Sequence, residues 1–289
     1  MKNLIQNSVI VISMLAYTGC TVRSPRYIYS PSTPNNPFIQ QKGDSKLAAF
    51  YSSGHNGNQK NDFSNNTDRG YDLQAAYAFS NHFAVTAGYY YRNEYDEYLK
   101  SSNSIYDNYF WDSYVHYKRN LTEVGAGYFF PLNDRKTVML NLFAGFGVAN
   151  FSINENGTDY SRVAYTRNYS NSFTKFYFQP SINFFVTKYL RLGFVFKTSN
   201  LYYRTASTDY SVNEKNYFYL NKIEKRNFMV SEFTGINIQL NHPRYKWIML
   251  EGAITSSGSL HDSLPKARTY NASIGLTFDI EKLIRKKSK

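Results

Sequence analysis

Few side chains in this sequence have the type and spacing that chemistry needs. His261 and Asp262 are adjacent, and a carboxylate beside an imidazole can orient it as a general base. Asp96, Glu97, Asp107 and Asp112 supply further carboxylates from one other polar stretch. A single His-Asp pair in a polar stretch is common, and neither a nucleophile elbow nor a phosphate-cradling glycine loop accompanies it. No catalytic residue is assigned, and the chain is not expected to be an enzyme. His55, His82, His116 and His242 are scattered without ligand spacing, so neither a metal nor a cofactor is expected. Cys20 is the only cysteine, which rules out an intrachain disulfide. The remaining charges of interest are Asp72, Arg92, Glu94, Glu123, Lys175, Arg191, Lys197 and Glu251. They fall at alternate positions of apolar stretches, which places them on the inner face of a sheet.

The elements that hold those positions are strands. Val124, Ala126, Tyr128 and Phe130 alternate with Glu123, Gly125, Gly127 and Phe129, a period of two. Pro131 to Lys136 supplies turn chemistry, and Val138, Leu140, Leu142, Ala144, Phe146 and Val148 then resume the apolar face. Gly125, Gly127, Gly145 and Gly147 on the other face leave room for bulky neighbours. Further strands are expected over residues 46–53, 71–79, 83–95, 173–186, 189–203, 228–240, 245–255 and 269–280. Long polar loops (55–69, 96–113, 154–172, 204–226, 256–266) alternate with short turns. Three places disturb the alternation. Pro180 is expected to mark a bulge, Glu232 falls on the outward parity and implies another bulge or a rim position, and Asn150-Phe151 implies a shift of register.

This pattern predicts an all-β protein, an antiparallel up-and-down transmembrane β-barrel of about ten strands, over residues 44–280. Its strands hide their apolar residues at every second position, which is how a mean hydropathy of −0.51 coexists with a membrane protein. Aromatics make up 18% of the chain, enough for interfacial girdles at both rims. The pattern resembles that of small outer-membrane β-barrels of Gram-negative bacteria, Bacteroidota among them. Ten-stranded omptin-type proteases use carboxylates and a histidine at the extracellular rim. A rim hydrolase using His261 is therefore one alternative reading and a narrow channel another, although no stretch here resembles an omptin motif.

Residues 1–19 read as a signal peptide, with Lys2 ahead of an apolar core at residues 9–16. Thr18-Gly19-Cys20 resembles the lipobox of bacterial lipoproteins, with Tyr17 in place of the usual leucine, and the resemblance implies a lipidated Cys20. Residues 20–43, rich in proline, are expected to be a tether, and 281–289 a basic tail. The acidic residues that follow the cysteine in surface lipoproteins of Bacteroidota are absent, so the resemblance implies a lipid in the periplasm-facing leaflet.

Nearly all of the net charge of +12 falls on the tether, the short turns and the tail, where anionic head groups would attract it. Outer-membrane lipids are therefore the expected partners of that rim, and nucleic acid is not, because no stacking platform lies among the basic residues. The long loops would then be extracellular. Tyr106, Tyr109, Phe110 and Trp111 in one loop, and Tyr217, Phe218 and Tyr219 in another, offer stiff aromatic contact area for other outer-membrane proteins or a glycan. Asp262-Ser263-Leu264 resembles the O-glycosylation sequon of Bacteroidota, which implies a glycan on Ser263. A barrel that already spans the membrane does not need a lipid for retention. The expected role is thus a lipid-anchored accessory or scaffold subunit of an assembly, secretion or uptake complex.

Overall fold

The computed structural model describes residues 26–55, 63–99, 112–159, 161–223, 228–245, 247–259, 266–281 and 283. Its strands are β1 (Tyr27–Tyr29), β2 (Ser45–His55), β3 (Phe63–Ala78), β4 (Phe83–Leu99), β5 (Asp112–Pro131), β6 (Val138–Thr158) and β7 (Ala164–Phe185). They continue as β8 (Leu190–Tyr203), β9 (Ser207–Thr208), β10 (Phe228–Asn241), β11 (Ile248–Ser259), β12 (Lys266–Ala267) and β13 (Tyr270–Phe278). Two short helices, α1 (Val212–Tyr217) and α2 (Leu220–Ile223), lie between β9 and β10.

Ten of these strands, β2 to β8 with β10, β11 and β13, form one antiparallel sheet in sequence order. The pairing of β6 with β7 and of β13 with β2 closes it into an up-and-down transmembrane barrel. Closure leaves no free sheet edge, as a membrane requires. On the outer wall Phe146 and Val148 are 52% and 55% exposed, among a belt that includes Phe176, Phe178, Phe194, Leu276 and Leu73. Inside, Gly125 and Gly145 lie opposite one another, and the Tyr177 hydroxyl fills the space that a side chain on either would need.

Of the three expected disturbances, only the one at Glu232 proves to be a bulge. The β10–β11 register shifts between Thr234 and Ile236, which turns Glu232 inward and leaves it 3% exposed. The register of β7 passes through Pro180 unshifted on both sides, so there is no bulge there; the missing N–H costs only a local gap in the pairing with β8. Nor does the register shift at Asn150-Phe151, where both neighbouring ladders run straight on.

What changes at Asn150 is the chemistry of the two faces. Below it β6 shows Leu140, Leu142, Ala144, Phe146 and Val148 outward, and above it Asn150, Ser152, Asn154 and Asn156, while Phe151 and Ile153 turn inward and are buried. β5 and β7 invert at the same height, with Asn120 and Lys118, and Ser172, Ser170 and Asn168, outward. Residues 96–99 and 154–158, expected as loops, therefore belong to β4 and β6, and 164–172 to β7. At a rise of ~3.3 Å per residue and a tilt of ~40°, residues 138 to 149 span about 28 Å, close to the apolar band of such barrels. Above the band the wall is polar outside and aromatic inside, as a water-soluble sheet would be.

Residues 26–43 are not the free tether that their proline content suggests. Every residue from 26 to 39 is buried, because this segment runs down the lumen from the loop end to the turn end. At the bottom Gln40 Nε2 donates to the Lys136 carbonyl at 2.8 Å, and Gly43, with φ of +89°, reverses the chain into β2. Arg26 thus leaves the turn-side charge count and joins the opposite end.

Candidate functional site

The most elaborate chemistry in the molecule is the lumen, where wall side chains converge on the threaded segment. At its upper end the segment pairs as β1 with β12, Tyr27 beside Lys266 and Tyr29 beside Ala267; below that it has no sheet partner, and its buried backbone donors and acceptors need others. Pro31, Pro34 and Pro37 remove three donors. Carboxylates take several of the others: Thr33 N–H donates to Asp72 at 3.0 Å, Ser32 N–H to Glu232 at 3.1 Å and Gln40 N–H to Asp44 at 2.8 Å. The carbonyls accept from long wall side chains. Arg92 reaches Pro31 at 3.3 Å, Gln74 reaches Thr33 at 2.7 Å, Gln179 reaches Asn35 at 3.0 Å and Lys46 reaches Asn36 at 3.0 Å.

The inward charges expected from the sequence pair across this interior. Glu123 takes Lys175 at 2.8 Å and Lys197 at 2.7 Å, Lys46 meets Glu251 at 3.1 Å, and Arg92 forms a two-point contact with Asp72. Arg191 donates to Gln239 at 2.9 Å. Asn36 and Asn183 exchange amide hydrogen bonds of 2.7 and 3.0 Å. Between Asn35 and the wall formed by Thr86, Gly88 and Tyr90 there is no room for a water molecule.

The upper end is held by Arg26. Its guanidinium gives Glu155 two hydrogen bonds, at 2.9 and 2.7 Å, and lies 4.0 Å from the Phe218 ring and 4.6 Å from that of Tyr98. Ser113, Tyr165 and Tyr210 also donate to Glu155, at 2.8, 2.9 and 2.5 Å. Burial alone would raise the Glu155 pKa; Arg26, the hydrogen bonds from Arg26 and Tyr210, and Arg167 outweigh it and bring it to about 2. Nearby, Arg268 bridges Glu94 at 3.0 Å and Asp96 at 3.1 Å, and Arg119 pairs with Glu94. Asp96 is fully buried in that ion pair, which removes it as a carboxylate partner for a histidine at the rim.

The aromatic contacts expected of the loop at residues 204–226 divide. Phe218 is 1% exposed and packs on Arg26 with Tyr210, Leu220 and Ile223, because α1 and α2 fold over the lumen as a cover. It is a core residue and offers no surface to a partner. Tyr217 and Tyr219 are half-buried beside it. Cys20, Tyr106, Asp107, Tyr109, Phe110, Trp111, His261, Asp262 and Ser263 lie outside the described residues. Among the described residues, no three His, Cys, Asp or Glu side chains are grouped so as to hold a metal.

No family model matches the chain, and no curated protein matches its sequence. Solved structures do match. The translocator domain of the autotransporter NalP from Neisseria meningitidis has a TM-score of 0.49 at 9% identity, with 84% of this chain and 90% of that one covered. CarO of Acinetobacter baumannii gives 0.34 at 11% identity, covering 84% and 99%. Ail, the attachment invasion locus protein of Yersinia pestis, gives 0.31 at 11%, covering 82% and 99%.

Sequence reasoning missed the threaded segment, although it left a signal. A free tether has no use for Arg26-Tyr27-Ile28-Tyr29 at one end and Phe38-Ile39 at the other, and these are the residues that anchor it. Arg26 stands at the loop end, whereas the resemblance, through the absence of acidic residues after Cys20, implies a lipid on the turn side.

Proposed function

We propose that this chain is an outer-membrane barrel, lipid-anchored through Cys20, that works as a non-enzymatic accessory or scaffold subunit of an assembly, secretion or uptake complex, with its long loops extracellular. The observation that carries the reading is the filled lumen. A pore needs a water path and a lumenal enzyme needs an open site, whereas here the interior is occupied by the protein's own residues 26–39, which Lys46, Asp72, Arg92, Lys175 and Glu232 hydrogen-bond from the wall. The surface that remains for work is the outer wall and the rim. Above the apolar band, β4 to β7 carry a polar face on which Asn93, Asn150 and Asn168 are exposed and His116, Asn120 and Asn154 half-buried. Strands hold such contact groups more rigidly than loops do.

Gentle solubilisation of the native membrane, followed by identification of what co-purifies, tests the reading. A stoichiometric outer-membrane partner, lost when Asn120 and Asn150 are replaced by Lys, supports it. A monomer without partners overturns it.

A further inference from the structure

We infer that the barrel passes its own N-terminal arm through its lumen, so that whatever lies N-terminal to Arg26 leaves at the long-loop rim and is displayed on that side of the membrane. In its membrane-anchoring consequence this rests on the lipid proposed for Cys20; in its geometry it does not.

Direction and depth are fixed by contacts at both ends. At the loop end, Arg26 is bound to Glu155, well above the level at which β6 leaves the apolar band. At the turn end, Gln40 touches Lys136, the Lys42 N–H donates to Asn81 at 3.2 Å and Gly43 N–H to the Ala78 carbonyl at 2.8 Å. The chain therefore descends through the lumen, reverses at residues 41–44 and climbs the wall as β2. Counting along β6 from Val138 to Glu155, at ~3.3 Å per residue and ~40° of tilt, puts Arg26 about 40 Å from the turn rim.

Five residues separate Cys20 from Arg26, six steps of chain, and an extended chain covers at most ~3.3–3.6 Å per residue, so the reach from Arg26 to Cys20 is at most ~20 Å. That reach cannot return it to the turn side, ~40 Å away, and the way back through the lumen is filled by residues 27–39. The top of the apolar band lies roughly 15 Å below Arg26 by the same strand arithmetic, within that reach. A lipid on Cys20 then enters the leaflet beside the long loops, opposite to the one that the sequence alone suggested. The barrel is a conduit for its own anchor: the wall holds the arm, and the arm carries its attached group to the far face.

Holding the arm in this direction has a clear physical basis. Reversal would bury Arg26 near the turn end, away from Glu155 and the two aromatic rings that enclose it, and would leave Glu155 with no partner for its charge but Arg167, at 3.4 Å. An uncompensated buried charge is among the costliest defects a protein can hold.

The test uses the full chain expressed in cells, with single cysteines placed in a Cys20→Ala background and read by a membrane-impermeant maleimide: Ser24→Cys upstream of the lumen, Ser161→Cys in the β6–β7 connection and Asp134→Cys in a short turn. Metabolic labelling with an alkyne fatty acid, lost in Cys20→Ala, reads the lipid separately. The expected result is that Ser24→Cys labels on intact cells together with Ser161→Cys, while Asp134→Cys labels only after permeabilisation. Labelling of Ser24→Cys together with Asp134→Cys overturns the inference, whatever the lipid readout. Labelling of Asp134→Cys alone on intact cells keeps the threading and overturns the extracellular placing of the loops. Absence of fatty-acid label in the unmodified chain overturns the anchor while leaving the exit of the arm to the maleimide result.

Discussion

Replacing Glu155 by Gln is the sharpest probe of the threaded segment. The substitution keeps shape and volume but removes the charge on which Arg26 depends, with both side chains fully buried. It also turns one carboxylate oxygen into an NH₂ group facing donors, in a site where Arg26, Ser113, Tyr165 and Tyr210 all donate to Glu155. Breaking one partner of a buried ion pair typically costs about 3–5 kcal/mol. Unfolding of the refolded barrel in detergent, followed by tryptophan fluorescence over a urea series, should show that loss as a lower midpoint at unchanged slope. Arg26→Met should cost a similar amount, since it leaves Glu155 without its two-point partner. The double variant should lose clearly less than the sum, with a coupling of about 2 kcal/mol or more, at the upper end of what contacting pairs show. Additivity within about 0.5 kcal/mol would mean that Arg26 and Glu155 do not meet, and the lumenal course of residues 26–39 would fall with that result.

Three further outcomes follow from the same contacts. Because the Glu155 pKa is depressed from 4.5 to about 2, its contribution to stability is fully present above pH 4.5 and is lost as the pH falls toward about 2. By linkage that amounts to about 3 kcal/mol, and the acid limb of the unfolding midpoint should flatten in Glu155→Gln. Gly145→Ala would set a Cβ 2.2 Å from the Val124 carbonyl oxygen, backbone that cannot yield, whereas a Cβ at Gly258 meets nothing within 4 Å. The first should cost about 1–3 kcal/mol and the second almost nothing, read as the temperature at which the barrel loses its compact gel mobility. Deleting residues 26–39 should turn a silent barrel into a conducting one in planar bilayers, because the wall left behind is lined by Asp72, Glu123, Lys175 and Lys197; a deletion variant that folds but stays silent would show that another element closes the lumen.

The barrel was legible in the sequence because its information is local. A period of two, a turn of known chemistry and the alternation of long with short connections need only neighbouring residues to be read. The inward charges were legible for the same reason: parity alone sends Glu123, Lys175 and Lys197 to one face. Their partners were less so, because Glu123 reaches Lys197 across 74 positions and Arg26 reaches Glu155 across 129. Residues 30–37 could not be recognised as lumen filling from their own composition, since a stretch that packs through backbone carbonyls and asparagine amides shows none of the apolar periodicity by which a core is found. The helical cover was hidden likewise. Ser211 and Glu214 form a capping box that marks the start of α1, but the apolar residues beneath it, Tyr210, Phe218, Leu220 and Ile223, are too few to stand out from a polar stretch.

The irregularities at Asn150 and Glu232 have opposite causes. A lipid-facing strand and a water-facing strand both alternate, but with opposite assignments of apolar and polar to the two faces. At Asn150 the strand changes solvent, so the parity of its apolar residues flips while its hydrogen bonds continue without a break. Read as register, that flip looks like a shift; read as environment, it locates the edge of the apolar band on β5 to β7. At Glu232 the opposite holds. The environment stays the same and the backbone inserts a residue at Gly235, because a carboxylate on that strand has Tyr29 and Ser32 to bind inside and only hydrocarbon outside. The cost of an unpaired charge in lipid exceeds that of a bulge, so the backbone gives way. The same comparison accounts for the lumen as a whole: once charges are turned inward they need partners, and the nearest unpaired chain with donors, carbonyls and one guanidinium to offer was the protein's own N-terminal arm.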